Sequence, residues 1–330
     1  MKEIVLMLLS LALILASAEA FTNGVEWLGQ RLNLGAGAVG SILAAVGTAL
    51  PETMIPLIAF LGTQGEEGIE EVGIGAILGA PFMLTTLALF ISGLAALIFR
   101  RNNHPLRIQS DVIRRDLNFF LVTYSLAIFA SFLSNPFLKL GLAGILPIIY
   151  LAYVIITLRR SQGSDDSGTL APLYLARHVQ HPGIFLILGQ IALALLGIVA
   201  GAHTFVDAVQ SVALVTGIPA LVLSLVITPI ATELPEKFNS VIWLRRGKDT
   251  LAIGNITGAM VFQSSVIPAM GIALSPWNLE PLALWSALLA LAAGFIPFFS
   301  LRRRGALYPV TLLSGGGFYL LFILTVLRFL

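Results

Sequence analysis

The sequence of 330 residues contains no cysteine, so disulfide bonds and thiolate metal sites are excluded. Charged residues are also scarce: Asp, Glu, Lys and Arg make up 11% of the chain, against about 25% in soluble proteins. Hydrophobic residues reach 57%. This composition predicts an integral membrane protein embedded in a lipid bilayer. The net charge of +2 does not indicate a nucleic-acid partner, and no motif indicates a protein partner.

Long runs without Asp, Glu, Lys or Arg predict seven membrane-spanning helices, because each is near or above the ~20 residues that cross a bilayer. These runs cover 72–99, 117–138, 140–158, 178–206, 250–279, 281–301 and 305–327. Three further apolar segments carry carboxylates, at about 4–22, 36–63 and 217–243. The predicted fold class is therefore an all-α polytopic membrane protein with ten transmembrane helices.

Positive charges predict the orientation of these helices. If the N-terminus lies outside, 15 of the 19 Lys and Arg residues fall in the inside loops, as the positive-inside rule requires. The predicted location is a cell membrane, specifically a prokaryotic inner membrane. The first 20 residues are also similar to a secretory signal that ends at Ala18-Glu19-Ala20. Removal of such a signal would leave nine helices.

One short motif occurs twice within the apolar segments. Thr48-Ala49-Leu50-Pro51-Glu52 returns as Thr232-Glu233-Leu234-Pro235-Glu236, 184 residues later. A charged side chain at the centre of a membrane helix costs roughly 2.5–3.5 kcal/mol, and an internal proline removes a helical hydrogen bond. Keeping both features at matching places in two halves indicates one intramembrane ion site built from two repeats.

The ten predicted helices divide into two sets of five, so the second set enters the membrane from the opposite side. The predicted organisation is a first five-helix repeat at 1–158, a cytoplasmic linker at 159–182 and a second, inverted five-helix repeat at 183–330. Downstream of the motif, Gly-x-x-x-Gly occurs in both halves, at 75–79 and 254–258. These glycines predict close helix packing around the site.

The motif provides oxygen ligands for a cation. Each proline leaves carbonyl oxygens one turn earlier without a helical partner, and Glu52 and Glu236 add carboxylate oxygens beside them. Asn255 and Thr257, in the downstream segment of the second half, offer further oxygens. An all-oxygen shell of this kind suits Ca²⁺. Two carboxylates equally match one divalent ion, two monovalent cations or two protons, and an antiporter depends on such competition.

Residues 47–52, 231–236 and 254–258 resemble the alpha repeats of the calcium/cation antiporter superfamily, which includes sodium/calcium and proton/calcium exchangers. The resemblance covers roughly 16–90 and 200–272. It implies that Glu52 and Glu236 coordinate Ca²⁺ and that Thr48 and Thr232 contribute backbone carbonyls. The expected function is secondary exchange of Ca²⁺ for Na⁺ by alternating access, not enzymatic catalysis. No cofactor is expected beyond the transported ions.

The chain also departs from the family pattern. The usual serine after the motif threonine is replaced by Ala49 and Glu233, and the polar pattern downstream keeps only Asn255. Glu233 lies three residues before Glu236, on about the same helix face. Clustered carboxylates favour proton binding, because like charges repel and burial disfavours the charged form. Ca²⁺/H⁺ exchange, or exchange of another cation at the same site, therefore remains an alternative. The predicted metal-site residues are Glu52, Glu236, Thr48, Thr232, Glu233 and Asn255.

Three other classes of protein fit parts of the sequence. A channel would use the glutamates as a selectivity element, but it needs a continuous aqueous path. An intramembrane metalloenzyme needs a zinc-ligand spacing such as His-Glu-x-x-His, which the sequence lacks. An exchanger that binds cations without transporting them fits the loss of polar positions at 76–81.

Overall fold

A computed structural model describes residues 2–31, 49–61, 68–100, 104–160 and 171–329. The described part is helical and contains no β-strand. Its long helices are α1 (Lys2–Arg31), α2 (Leu50–Leu61), α3 (Ile69–Met83), α4 (Leu89–Arg100), α5 (Ser110–Ala130), α6 (Pro136–Arg160), α7 (Ile184–Thr216), α8 (Ala220–Arg245), α9 (Asp249–Leu274), α10 (Pro281–Arg304) and α11 (Pro309–Phe329).

Seven of the described helical segments are long and apolar enough to cross a membrane. They are Lys2–Arg31, Ile69–Phe99, Pro136–Thr157, Ile184–Thr216, Asp249–Leu274, Pro281–Arg304 and Pro309–Arg328. Two shorter apolar segments, Leu50–Leu61 and Ala220–Ile230, carry or precede the repeated motif. The all-helical membrane class is confirmed. Part of the predicted span 36–63 lies outside the described residues.

The predicted span 117–138 differs from the structure at both ends. Helix α5 begins at Ser110 and ends at Ala130, and α6 begins at Pro136. The Asn135 side chain accepts a hydrogen bond from the Phe137 N–H at 2.9 Å, which caps α6. The absence of charge hid this boundary, although Asn followed by Pro is a local signal for a helix start.

Helices α3 and α4 are continuous through a π-helical turn, Leu84–Ala88. Two buried threonines in this turn return their hydroxyls to the backbone: Thr85 donates to the Pro81 carbonyl at 2.8 Å, and Thr86 donates to that of Phe82. π-Helical turns inside α-helices are frequent near functional sites. This turn lies in the same helical segment as the first Gly-x-x-x-Gly sequence.

Helices α3 and α8 pack at very short range. A Cβ atom added at Gly75 would lie 2.8 Å from the Leu221 carbonyl oxygen, and one at Gly79 would lie 2.6 Å from Cγ of Pro229. The Ser224 hydroxyl also donates to the Val72 carbonyl at 2.6 Å across the same interface. The predicted close packing is confirmed for the first-half glycines.

The second-half glycines behave differently. A Cβ at Gly254 or Gly258 would have its nearest neighbours at 3.8 Å, namely Ile113 and the hydroxyl of Tyr153. These are ordinary contacts with side chains of α5 and α6. The prediction of close packing at 254–258 is therefore wrong, because bulky side chains rather than backbone face this part of α9.

Helices α1 and α7 form a second tightly joined pair. The Gln190 amide donates to Asn23 Oδ1 at 2.9 Å and accepts a hydrogen bond from the Leu175 N–H, also at 2.9 Å. Asn23 in turn donates to the Ala171 carbonyl at 3.3 Å. The segment 171–176, which lies within the predicted linker 159–182, thus contacts the first helix of each half.

Buried apolar side chains form two groups. The smaller group joins α1, α2 and α7 to one side of α3 and α8. The larger group joins α4–α6 and α9–α11 to the other side of α3 and α8. Because α3 and α8 contribute to both groups, they connect the α1–α7 pair to the rest of the helices.

Candidate functional site

Glu52 is buried in the first turn of α2, with 6% of its surface exposed. Pro51 precedes it in the same turn. Proline lacks a backbone N–H, but at the start of a helix this N–H has no partner within the described residues, so no described helical hydrogen bond is lost. The Thr53 hydroxyl donates to the Ala49 carbonyl at 2.7 Å and satisfies one backbone oxygen there. Thr48 lies outside the described residues, so its predicted role stays a prediction.

The second copy of the motif lies inside α8, whose helical backbone continues without a break from Ala220 to Arg245. Thr232 and Glu233 are both buried, each with 1% exposed surface. The Thr232 hydroxyl donates to the Thr228 carbonyl at 3.1 Å. The predicted role of the Thr232 carbonyl as a cation ligand stays a prediction. The side chain of Glu236 lies outside the described part, so its predicted role also stays a prediction.

Glu233 has a polar partner on the neighbouring helix. The side-chain amide of Gln263 in α9 donates a hydrogen bond to Glu233 Oε1. Gln263 is 3% exposed, and its Oε1 atom accepts no hydrogen bond within the described part of the chain. Buried carboxylates require such donors, because desolvation of an unpaired charge costs several kcal/mol. The interface of α8 and α9 therefore holds an oxygen-rich polar pair.

Gln263 is not among the residues that the repeated motif predicts for the site. A signal was present, because Gln263, Ser264 and Ser265 form a polar run inside the otherwise apolar stretch 250–279. Ser264 shares a hydrogen bond of 2.7 Å with the hydroxyl of Thr123 in α5. Buried polar groups thus extend from the Glu233–Gln263 pair towards α5.

Asn255 is not part of this pair. It is partly exposed and lies eight residues before Gln263 on α9, about 12 Å along the helix axis at 1.5 Å per residue. Thr257, which was also expected to offer an oxygen, donates its hydroxyl proton to Asp116 Oδ2 at 2.9 Å. Thr257 therefore serves the contact between α5 and α9, and the metal role of Asn255 stays a prediction.

Oxygen atoms are the only ligands that these residues supply, and Ca²⁺ prefers such ligands. No group of three or more His, Cys, Asp or Glu residues that could hold a metal ion occurs among the described residues. The described residues do not include Thr48 or the side chain of Glu236. Among these residues the structure brings together Glu233 on α8 and Gln263 on α9. Glu52 on α2 and Thr232 on α8 are buried, and their membership of one shared site with this pair stays a prediction.

Comparisons with known proteins agree with this architecture. The sequence profile of the family described as sodium/calcium exchanger protein matches residues 2–159 and 186–330. The chain is 28% identical over 284 residues to inner membrane protein YrbG of Escherichia coli, covering 84% of this chain and 82% of YrbG. It is 25% identical over 332 residues to the putative antiporter CaxA of Alkalimonas amylolytica, covering 96% of this chain and 98% of CaxA.

Two kinds of solved structure share the fold. The H⁺/Ca²⁺ exchanger CAX matches with a TM-score of 0.75 at 17% identity, covering 98% of this chain and 82% of that one. The sodium-calcium exchanger NCX_Mj matches with a TM-score of 0.55 at 19% identity, covering 98% of each chain. At these identities the likeness shows the arrangement of the helices, and it leaves the transported ions undetermined.

Proposed function

The chain belongs to the sodium/calcium exchanger protein family of multi-pass membrane transporters, and on that premise we propose that it exchanges Ca²⁺ for Na⁺ by alternating access. The observation that carries the proposal is the burial of Glu52 and Glu233, at 6% and 1% exposure, within the two copies of the repeated motif. Charged groups inside a membrane protein are costly and mark ion pathways. The proposed location is a prokaryotic inner membrane.

The proposed architecture is two inverted repeats of five helices. The first repeat, 1–158, comprises α1, α2, the continuous α3–α4 segment, α5 and α6, and the second, 183–330, comprises α7–α11. A linker at 159–182 joins them. The gap at 160–185 between the two segments that match the family profile supports this division.

In the proposed mechanism, Glu52 and Glu236 bind Ca²⁺ and the counter-ions in turn. Carbonyl oxygens of Thr48 and Thr232 complete the shell, and the buried Oε1 of Gln263 adds an amide oxygen. A bound cation neutralises the carboxylates, so the occupied site is less costly to move past apolar helices than the empty, charged one. This difference couples the movement of the helices to ion occupancy.

A proton is the second candidate counter-ion. Glu233 stands where the family usually has a serine, and the chain matches the H⁺/Ca²⁺ exchanger CAX with a higher TM-score than NCX_Mj, 0.75 against 0.55. A carboxylate can carry a proton in its neutral form, whereas a serine hydroxyl serves as a Na⁺ ligand. Glu233 thus provides a proton acceptor at a position where the usual serine offers only an oxygen ligand.

Purified protein in proteoliposomes distinguishes the two counter-ions. We expect Ca²⁺ uptake driven by an imposed Na⁺ gradient if Na⁺ is the counter-ion, and uptake driven by an imposed pH gradient if H⁺ is. Saturable uptake that needs either gradient supports exchange. Flux that is independent of both gradients and orders of magnitude faster would identify a channel, and no flux despite Ca²⁺ binding would identify an inactive relative.

Single carboxylate-to-amide substitutions test the site itself. We expect Glu52→Gln and Glu236→Gln each to reduce Ca²⁺ uptake at least about 10-fold, since removing a ligand charge weakens binding by about 1.4 kcal/mol or more. Glu280→Gln is the matched control, because Glu280 is exposed at the start of α10. Undiminished uptake in either site variant would remove that residue from the site.

A further inference from the structure

A basic cavity of about 370 Å³ lies between the first turns of α5 and the last turns of α10. Its lining comprises Asp111, Arg114, Arg115, Asn118, Phe298 and Arg302. Three of these six residues are arginines and only one is acidic. Both helix ends line one cavity and therefore lie at the same membrane face. The distribution of positive charges predicts that this face is the inside.

Two of the arginines have acidic neighbours. Arg114 pairs with Asp111 at 2.8 Å, but the two side chains are 51% and 80% exposed, so the pair contributes little and is readily exchanged. Arg115 lies 3.2 Å from Asp116, with its guanidinium 5.3 Å from the ring centre of Tyr153. Arg115, which also lines the cavity, is therefore held in place by these two contacts.

Arg302 carries the positive charge that is not compensated. It begins a run of three arginines at the end of α10, of which Arg303 lies over the ring of Phe299 at 4.4 Å and Arg304 lies near that of Tyr308 at 6.0 Å. Arg302 has neither an ion pair nor a ring contact within the described part of the chain. Arg302 lines the cavity.

Beyond the cavity, in the direction away from these helix ends, α5 and α10 carry exposed apolar side chains on the same helix faces. On α5, Val122 and Phe129 follow Asn118 at helical spacings of four and eleven residues and are 47% and 53% exposed. On α10, Phe298 and Phe295 precede Arg302 by four and seven residues, and Phe295 is 50% exposed. Residues at these spacings share a helix face. The cavity and these exposed apolar side chains on the same faces of α5 and α10 are together called the groove below.

We propose that this groove binds an anionic phospholipid, with the headgroup phosphate on Arg302 and Arg114 and an acyl chain along Val122 and Phe295. Arginine matches phosphate oxygens with a planar fork of donors. Basic pockets between membrane helices at the cytoplasmic side are suited to anionic headgroups. A free phosphate would use only the arginines, whereas the lipid also uses the exposed apolar side chains of the groove, which favours the lipid.

Lipid binding by the purified full-length protein tests the proposal. Protein in mixed micelles of detergent and phosphatidylcholine is titrated with phosphatidylglycerol. The bound lipid is counted by native mass spectrometry. We expect Arg114→Gln/Arg302→Gln to weaken phosphatidylglycerol binding on the order of 30-fold, from about 1 kcal/mol for each arginine at the membrane surface. Arg302→Lys keeps the charge without the planar fork and should give a smaller loss.

The matched control is Arg245→Gln/Arg246→Gln, which removes two exposed arginines from the end of α8. Unchanged binding in the groove variant, or an equal loss in the control, would overturn the proposal. Retained inorganic phosphate binding with no preference for phosphatidylglycerol would assign the site to free phosphate and overturn the lipid. Thermal unfolding midpoints verify that each variant is folded. Lipid binding is measured without transport, so a failure of the proposed ion exchange would not contradict the proposed lipid binding.

Discussion

Glu233 is the residue at which this chain departs most from the pattern that it resembles. It is buried with 1% exposure and receives a hydrogen bond from Gln263 on the neighbouring helix. An ionised carboxylate in place of a hydroxyl would add a negative charge to the proposed cation site. The carboxyl group can also bind and release a proton, whereas a serine hydroxyl does not ionise at physiological pH.

Replacing Glu233 by serine restores the usual family residue and tests this role. We expect Glu233→Ser to make Ca²⁺ uptake more dependent on an imposed Na⁺ gradient and at least several-fold less dependent on a pH gradient. The measurement is uptake by proteoliposomes under each gradient, with Glu280→Gln as the exposed control. If both dependences remain as in the parent chain, Glu233 does not select the counter-ion.

At the scale of helices, the contact between α3 and α8 positions the second copy of the motif. Gly75 and Gly79 allow the backbone of α8 to approach α3, and the Ser224 hydroxyl adds a hydrogen bond to Val72. Small residues at membrane helix interfaces allow this close approach, because association there depends on packing rather than on the hydrophobic effect.

Alanine at Gly79 should disturb this interface. The added Cβ would lie 2.6 Å from Cγ of Pro229, and overpacking of this kind costs roughly 1–3 kcal/mol. The matched control is Gly258→Ala in α9, whose nearest neighbour at 3.8 Å leaves room for a methyl group. We expect a lower unfolding temperature in detergent for Gly79→Ala only. Equal midpoints for the two variants would contradict the packing argument.

For the whole molecule, the central expectation is that the two halves face opposite sides of the membrane. The loop between the third and fourth helices of the first half contains His104, and the equivalent loop of the second half contains Glu280. Both residues are exposed. Inverted repeats place these two loops on opposite sides, whereas parallel repeats place them on the same side.

The absence of cysteine makes this expectation easy to test. Single cysteines at His104 and Glu280 would be labelled in intact cells with a membrane-impermeant maleimide. We expect labelling at Glu280→Cys and no labelling at His104→Cys until the membrane is permeabilised. Ser134→Cys should be labelled in intact cells, like Glu280→Cys. Lys248→Cys should be labelled only after permeabilisation, like His104→Cys. Labelling of both halves from one side would exclude inverted repeats.

The sequence by itself determined the membrane class, most helix positions and the motif that identifies the family. Hydrophobic length and charge are local properties, so they are readable without neighbours. The sequence pattern misplaces helix boundaries at which the charge does not change, such as the boundary at Asn135, because only helix-capping and turn residues mark them.

Only the tertiary structure decided which polar groups meet. Gln263 lies 30 residues from Glu233, and helix packing alone brings its amide to that carboxylate. The same packing gave two similar glycine motifs different surroundings, since the Leu225 carbonyl and Pro229 of α8 face Gly79 while the side chain of Tyr153 faces Gly258. It likewise brought together the arginines of α5 and α10 in one groove. Contacts between helices depend on the orientation of each helix about its axis, which short sequence patterns do not specify.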